Sequence, residues 1–265
     1  MIPERETQYD LEILFSKYQL LPVLREEFKE IASIYPFEDQ HPFICDMLSQ
    51  IYLHRQADPV TLVGILSPKH GTPQEVADKL LLMCEFDYMD YSEITGNFMV
   101  KYDVTEDIQL KLDRYQYPLP MVIEPDPIHD NAGNGYHTIR GSVILNGSPY
   151  FKDVDVCLDH LNRMNAVSME LDFSVIDSTE GKYIKPTRKE GESYDDFHKR
   201  LKQAATFYNV SLSVMESLAE ISDAVYLTHK YDRRGRCYAS GYHVNTQGTD
   251  YNKAVLQFSH KETLT

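Results

Sequence analysis

Bases crowd together at one place in this chain. Lys230-Tyr231-Asp232-Arg233-Arg234-Gly235-Arg236-Cys237-Tyr238 sets four bases and one acid within residues 230–236. The whole sequence is acidic, with 26 Lys+Arg against 41 Asp+Glu and a net charge of −15. Arginine presents a planar fork of donors that fits phosphate and sugar oxygens. Gly235 lets the backbone turn or lie close to a ligand, and Asp232 can hold one guanidinium in a fixed pose. The chemistry on offer is recognition of an oxyanion backbone. The competing reading is a solvated surface turn with an Asp–Arg pair.

Other reactive side chains lack the company that chemistry needs. The ten histidines form no His-x-x-x-His and no His-Glu-x-x-His, so a zinc hydrolase has no footing. Cys45, Cys84, Cys157 and Cys237 lie far apart with no Cys-x-x-Cys, which argues against zinc and against a disulfide framework. Asp153, Asp155 and Asp159-His160 read as an exposed helix start rather than a cation site. Ser148, Ser168 and Ser174 have no nucleophile-elbow setting. Gly133-Asn134-Gly135 lacks the strand–loop–helix frame of a phosphate loop and reads as a turn.

The elements that must position the basic cluster can be read from periodicity. Residues 8–35 follow helical spacing through Leu11, Leu14, Phe15, Tyr18 and Leu21, with a break expected at Pro22. A second helix covers 42–54, and Leu62 to Leu66 form a short apolar piece ended by Ser67-Pro68. Thr72-Pro73-Gln74-Glu75 is a capping-box start for a helix reaching about Cys84. Residues 86–94 and 98–104, around Thr95-Gly96-Asn97, read as a β-hairpin. Pro118, Pro120, Pro125 and Pro127 predict extended chain. Helices are expected over 156–175 and from Ser193 to Ile221, forming an antiparallel pair joined by a polar loop. The fold class is α+β, predominantly helical.

Composition bounds the function. Aromatic residues make up 11 % and recurrent apolar runs exclude a disordered chain. No stretch approaches a membrane span, and the acidic start, Met1 to Glu6, does not read as a signal peptide. A reducing cytoplasm is therefore expected. Residues 1–117 hold 21 acids and 10 bases, against 20 and 16 in 118–265. Such a first half repels phosphate, so nucleic-acid binding must rest on local basic sites or a basic partner.

Two strings resemble a known family. Asp232-x-Arg234-Gly235-Arg236-x-Tyr238, followed by Gln247-Gly248-x-Asp250-x-x-Lys253, is similar to the start of the palm in single-subunit phage-type and mitochondrial DNA-directed RNA polymerases. Pro120-Met121-Val122-Ile123-x-Pro125-x-Pro127 and Gly133-x-Gly135-Tyr136 resemble the segment before that family's thumb. Leu161-Asn162-x-x-Asn165 resembles its first thumb helix and 211–221 its last. The likeness spans roughly 118–262. Trp, usual after the proline strip, is absent, and Ile128 stands there. Only 33 residues follow Asp232, too few to reach the family's metal-binding aspartates. The chain resembles the smaller subunit of the two-polypeptide phage-type polymerase of schitovirus-like phages.

The resemblance implies four segments: an N-terminal domain (1–117), a proline-rich connector (118–155), thumb helices (156–221) and the first palm strands (222–265). It implies that Arg234 and Arg236 contact template and RNA backbone, with Asp232 orienting an arginine. Tyr238, Gln247 and Lys253 would also belong to the nucleic-acid-binding surface, supported by Gly235, Gly248 and Asp250, the last bracing backbone or Lys253. No catalytic residue or metal ligand is expected in this chain. Mg²⁺ would be held by a larger partner subunit carrying the rest of the palm and the fingers. The DNA template, nascent RNA and an accessory protein for promoter melting or delivery complete the expected partners, in the cytoplasm of an infected bacterium. The isolated chain would be an inactive part of a nucleotidyltransferase. Its strands would expose Val225, Leu227, Val255, Leu256 and Phe258 to that partner. Two alternatives are a DNA-binding regulator using 60–104 as a winged helix, and a non-enzymatic interaction protein.

Overall fold

Capping chemistry and apolar spacing account for most of the helices in the computed structural model, which describes residues 5–145, 147, 156–179 and 186–261, with Lys17 and Tyr18 as backbone alone. Ser148, Asp153 and Asp155 lie outside the described residues. The first helix, α1 (Arg5–Leu14), packs with the second of two compact units. One unit is Ser16–Gln116; the other is made of the described parts of Met1–Phe15 and Tyr117–Thr265. About half the chain is helical and the strands form small antiparallel sheets, an α+β fold. Among the described residues no helix is long and apolar enough to cross a membrane.

The Ser16–Gln116 unit holds α2 (Lys17–Glu27), α3 (Lys29–Ser33), α4 (His41–His54), α5 (Pro59–His70), α6 (Pro73–Glu85), β1 (Met89–Ser92), β2 (Asn97–Val100) and α7 (Glu106–Tyr115). Helix α4 is buried all round from Phe43 to Leu53 and forms the axis of the core. Leu24, Phe28, Leu62, Leu80, Met83 and Met89 close over it. Asp46, inside this helix, survives burial because Arg25, Lys69 at 2.6 Å and His70 at 2.7 Å surround its carboxylate. Asp58 caps α5 by accepting from the Thr61 N–H at 2.9 Å, and Thr72 with Glu75 forms the capping box of α6. The β1–β2 hairpin pairs Met89 with Val100 and Ser92 with Asn97, and a bridge from Ala57 to Phe98 extends it.

Two sequence expectations need correction here. The long N-terminal helix does not break at Pro22, which sits inside α2; the break falls at residues 15–16. Pro22 forfeits one hydrogen bond near the start of α2, a loss outweighed by burying Leu20 and Leu24. Nor does Pro68 end α5, which runs on to His70. Pro68 occupies its last turn, where the Ser67 hydroxyl donates to the Val63 carbonyl at 2.6 Å.

The second unit adds to α1 the elements α8 (Leu158–Asn165), β3 (Ser168–Leu171), α9 (Phe173–Thr179), α10 (Tyr194–Ile221), β4 (Val225–Tyr226), β5 (His229–Tyr231), β6 (Cys237–Ala239), α11 (Asp250–Ala254) and β7 (Leu256–Phe258). One antiparallel sheet has the order β4-β3-β7, and β5-β6 is a separate hairpin. The expected helix over 156–175 is corrected: α8 spans eight residues, and β3 follows it. Val167 to Phe173 alternates apolar and polar side chains, which is strand periodicity rather than helical spacing. The pair of long antiparallel helices therefore reduces to α10, 28 residues long and capped by Ser193. Val225, Leu227, Val255 and Leu256 are buried within this chain, contrary to the exposed palm edge; Phe258 remains 63 % exposed.

The proline strip is extended. Met121 pairs with Tyr226 beside β4, and Ile144 runs parallel to Tyr231 beside β5. Gly135 has φ +86°, and a Cβ there would lie 3.1 Å from Pro125 and Thr228, so the turn requires glycine.

Candidate nucleic-acid interface

The basic cluster forms the β5–β6 hairpin and its loop, residues 232–236. Asp232 organises that loop. Its Oδ1 accepts from the backbone N–H groups of Arg234 and Arg236, both at 2.9 Å. Its Oδ2 accepts from Arg236 Nε at 2.7 Å and from Arg234 Nε at 3.3 Å. The backbone closes underneath: Asp232 N–H donates to Arg236 O at 2.8 Å, and Gly235 N–H donates to Asp232 O at 3.0 Å. Gly235 takes φ +79°, a conformation that favours glycine. Burial works against ionisation of Asp232, but the Arg236 backbone N–H and guanidinium outweigh it and hold the carboxyl below the usual range.

The arginines face solvent. The side chains of Arg234 and Arg236 are 73 % and 52 % exposed, while that of Asp232 is 15 % exposed. Arg236 Cζ also lies 5.5 Å from the centroid of the Tyr238 ring, a cation–π contact along the hairpin. Asp232 occupies one edge of the Arg236 guanidinium and leaves outward-facing donors for an oxyanion. Lys230, opposite Tyr238 in the ladder, is half-buried, and desolvation pushes its pKa down.

The second string braces the first. Gln247 Oε1 accepts from Ala239 N–H at 2.9 Å and its Nε2 donates to Cys237 O at 2.9 Å, so the side-chain amide completes the edge of β6. Both ends of that amide are spent on backbone, which makes Gln247 a positioning residue for the strand bearing Tyr238. A Cβ on Gly248 would lie 2.8 Å from Asn252 Oδ1, inside the Thr249–Asn252 capping box that starts α11. Asp250 is solvent-exposed on α11, with Lys253 Nζ 3.4 Å away. The structure thus brings Asp232, Arg234, Arg236 and Tyr238 together on the hairpin and sets Gln247 against its edge.

The base of the hairpin is gripped by residues whose roles sequence reasoning missed. Tyr231 N–H donates to Val143 O and Leu145 N–H to Tyr231 O, each at 2.8 Å. The Tyr231 hydroxyl meets His160 Nδ1 at 2.6 Å. Asn165 Oδ1 accepts from His229 N–H at 2.9 Å, and Asn162 exchanges two hydrogen bonds with the backbone of Ile128, at 2.8 and 3.0 Å. The Asn-x-x-Asn spacing, which puts both amides on one helix face, is the signal that could have revealed this clamp. Among the described residues no group of three or more His, Cys, Asp and Glu could hold a metal, and Asp159 stands exposed at the start of α8.

No family model matches the chain, and no curated protein matches it in sequence.

Proposed function

We propose that this chain is the small, non-catalytic subunit of a two-polypeptide, phage-type DNA-directed RNA polymerase, and that the β5–β6 loop holds the backbone of the template–RNA hybrid. The observation that carries the reading is the Asp232-pinned loop, which presents two exposed guanidinium groups from an acidic chain. Preorganised arginines lose little side-chain freedom on binding, so their charge-assisted contacts count fully. In this reading the thumb segment 156–221 keeps one long helix, α10, and the strands β4 to β7 are the start of the palm, against which β3 of the thumb segment pairs. A larger partner subunit carries the metal-binding aspartates, Mg²⁺ and the two-metal chemistry.

The test is elongation on a primed RNA–DNA scaffold by the assembled two-chain enzyme at fixed salt. Arg236→Ala should cut activity or hybrid affinity by roughly tenfold to a hundredfold. Arg236→Lys should restore only part, since a point charge does not reproduce the fork. Arg233→Ala should be mild, because Asp232 does not orient that side chain. Equal losses for Arg233→Ala and Arg236→Ala, or no loss with the complex intact, would refute the assignment. Primer extension by the purified small chain alone would refute the division of labour.

A further inference from the structure

Helices α5 and α6 and the β1–β2 hairpin enclose an open groove of about 450 Å³ with almost wholly apolar walls. Pro59 and Val63 line it from α5, Leu81 and Cys84 from α6, and Tyr91 and Phe98 from the hairpin. Leu81 in its wall is 61 % exposed, and Val60, next to Pro59 in α5, and Ile94, in the turn of the lining hairpin, are 82 % and 98 % exposed. Contiguous exposed apolar surface of this kind marks a docking site rather than scattered surface residues.

The charge around it is one-sided. Between Pro73 and Lys101 stand Glu75, Asp78, Glu85, Asp87, Asp90 and Glu93, against Lys79 and Lys101. Lys101 Nζ is committed to Asp87 and Asp90, which leaves Asp78, Glu85 and Glu93 to set the sign of the charge. Lys79 does not offset them at the groove, because its Nζ donates to His70 O at 3.1 Å and lies 5.3 Å from the Phe43 ring. An apolar floor with an acidic rim repels nucleic acid and anionic lipid. It also repels a second copy of the same face, since acids would meet acids. A trough between two helices accepts an amphipathic helix, which inserts side chains at i, i+3 or i+4, and i+7.

We infer that the α5–α6–hairpin groove is a docking site for an amphipathic helix of another protein, with aliphatic side chains on its inner face and lysine or arginine along its flanks. The inference is independent of the polymerase reading, because it uses residues 59–98 and none of the β5–β6 loop. It assigns the helix–helix–hairpin segment to protein recognition and leaves duplex DNA without a basic surface there.

The test uses the full chain and three fluorescein-labelled synthetic peptides of about 18 residues, long enough to form helix on binding. One has a leucine stripe with lysine flanks, one the same stripe with glutamate flanks, and one is the lysine peptide scrambled. Anisotropy at physiological salt should show the lysine-flanked helix binding at least about tenfold tighter than either other peptide. Leu81→Lys, at an exposed position that does not endanger folding, should abolish that preference, and Glu85→Lys with Glu93→Lys should weaken it. Hydrogen exchange should show protection confined to 59–63, 77–84 and 91–98. Equal binding of the lysine and glutamate peptides, no binding of any, or binding that survives Leu81→Lys would overturn the inference. So would sedimentation showing a dimer that Leu81→Lys dissolves, which would make a second copy the occupant.

Discussion

Glu12 offers the most severe test of how the second unit is held together. Its side chain is fully buried on α1 and accepts from Gln8 Nε2 at 3.0 Å, His137 N–H at 2.9 Å, Thr138 N–H at 2.7 Å and the Thr138 hydroxyl. Gln8 in turn accepts from Val122 N–H at 2.9 Å, so one helical turn fixes the connector at residue 122 and at residues 137–138. Glu12→Ala strips four donors of their acceptor. Thr138 belongs to an exposed residue and can rehydrate, whereas His137 N–H and Gln8 Nε2 cannot do so without opening the packing. At about 1–3 kcal/mol for each stranded donor, the loss should be about 3 kcal/mol. Glu12→Gln keeps one acceptor oxygen but turns an NH₂ toward donors, and should cost about 1–2 kcal/mol. Urea unfolding followed by far-UV circular dichroism measures both. With two units the melt need not be two-state, and the shift should fall in one transition only. Stability of Glu12→Ala within about 0.5 kcal/mol of the parent would refute the argument.

Two further outcomes are expected. Burial lowers the pKa of His229 below its ordinary 6.5, so the unfolded chain takes up a proton that the fold resists. His229's contribution is therefore complete above about pH 6.5 and lost as pH falls toward the lowered folded value; His229→Gln should flatten the acid limb of a stability–pH curve between pH 7.5 and 5.5, and an unchanged limb would count against it. Cys157 is exposed, whereas Cys45 is buried and desolvation raises its thiol pKa. Iodoacetamide should label Cys157 first and Cys45 only on unfolding, as read by peptide mass spectrometry.

Signals carried by neighbours in sequence were legible. Thr72 and Glu75 make the capping box their spacing announces, and Ser193 caps α10. The Asp232–Arg236 turn was legible in part: an Asp among arginines can hold a guanidinium, as Asp232 does with Arg236, whereas the backbone N–H groups of Arg234 and Arg236 that it also binds were not expected. What stayed hidden depends on partners far away in the chain. Glu12 falls among the polar positions of an amphipathic helix, and its burial comes from residues 137–138, which no local pattern reveals. Gln247 looks like a ligand-facing amide but is consumed by strand β6. The segment 167–173 alternates as a strand does, but it follows directly on the helical spacing of Leu158, Leu161 and Met164 and reads as their continuation until sheet pairing of Met169 with Val225 and Phe258 is seen.

The β5–β6 loop and the α5–α6 groove have opposite chemistry, and that constrains any account of the whole chain. The loop's exposed arginines serve a polyanion, and the arrangement is useful only if the surrounding acidity is compensated by a partner or confined elsewhere. The groove's acids would repel the same polyanion, so one nucleic acid cannot exploit both surfaces. Each surface is built within a single unit, the loop in Tyr117–Thr265 and the groove in Ser16–Gln116. Substitutions in one should therefore leave the other's binding intact, an additivity expected of sites with no shared partners. Arg236→Ala with Leu81→Lys in one chain should show the two losses side by side. A coupling between them would refute that independence.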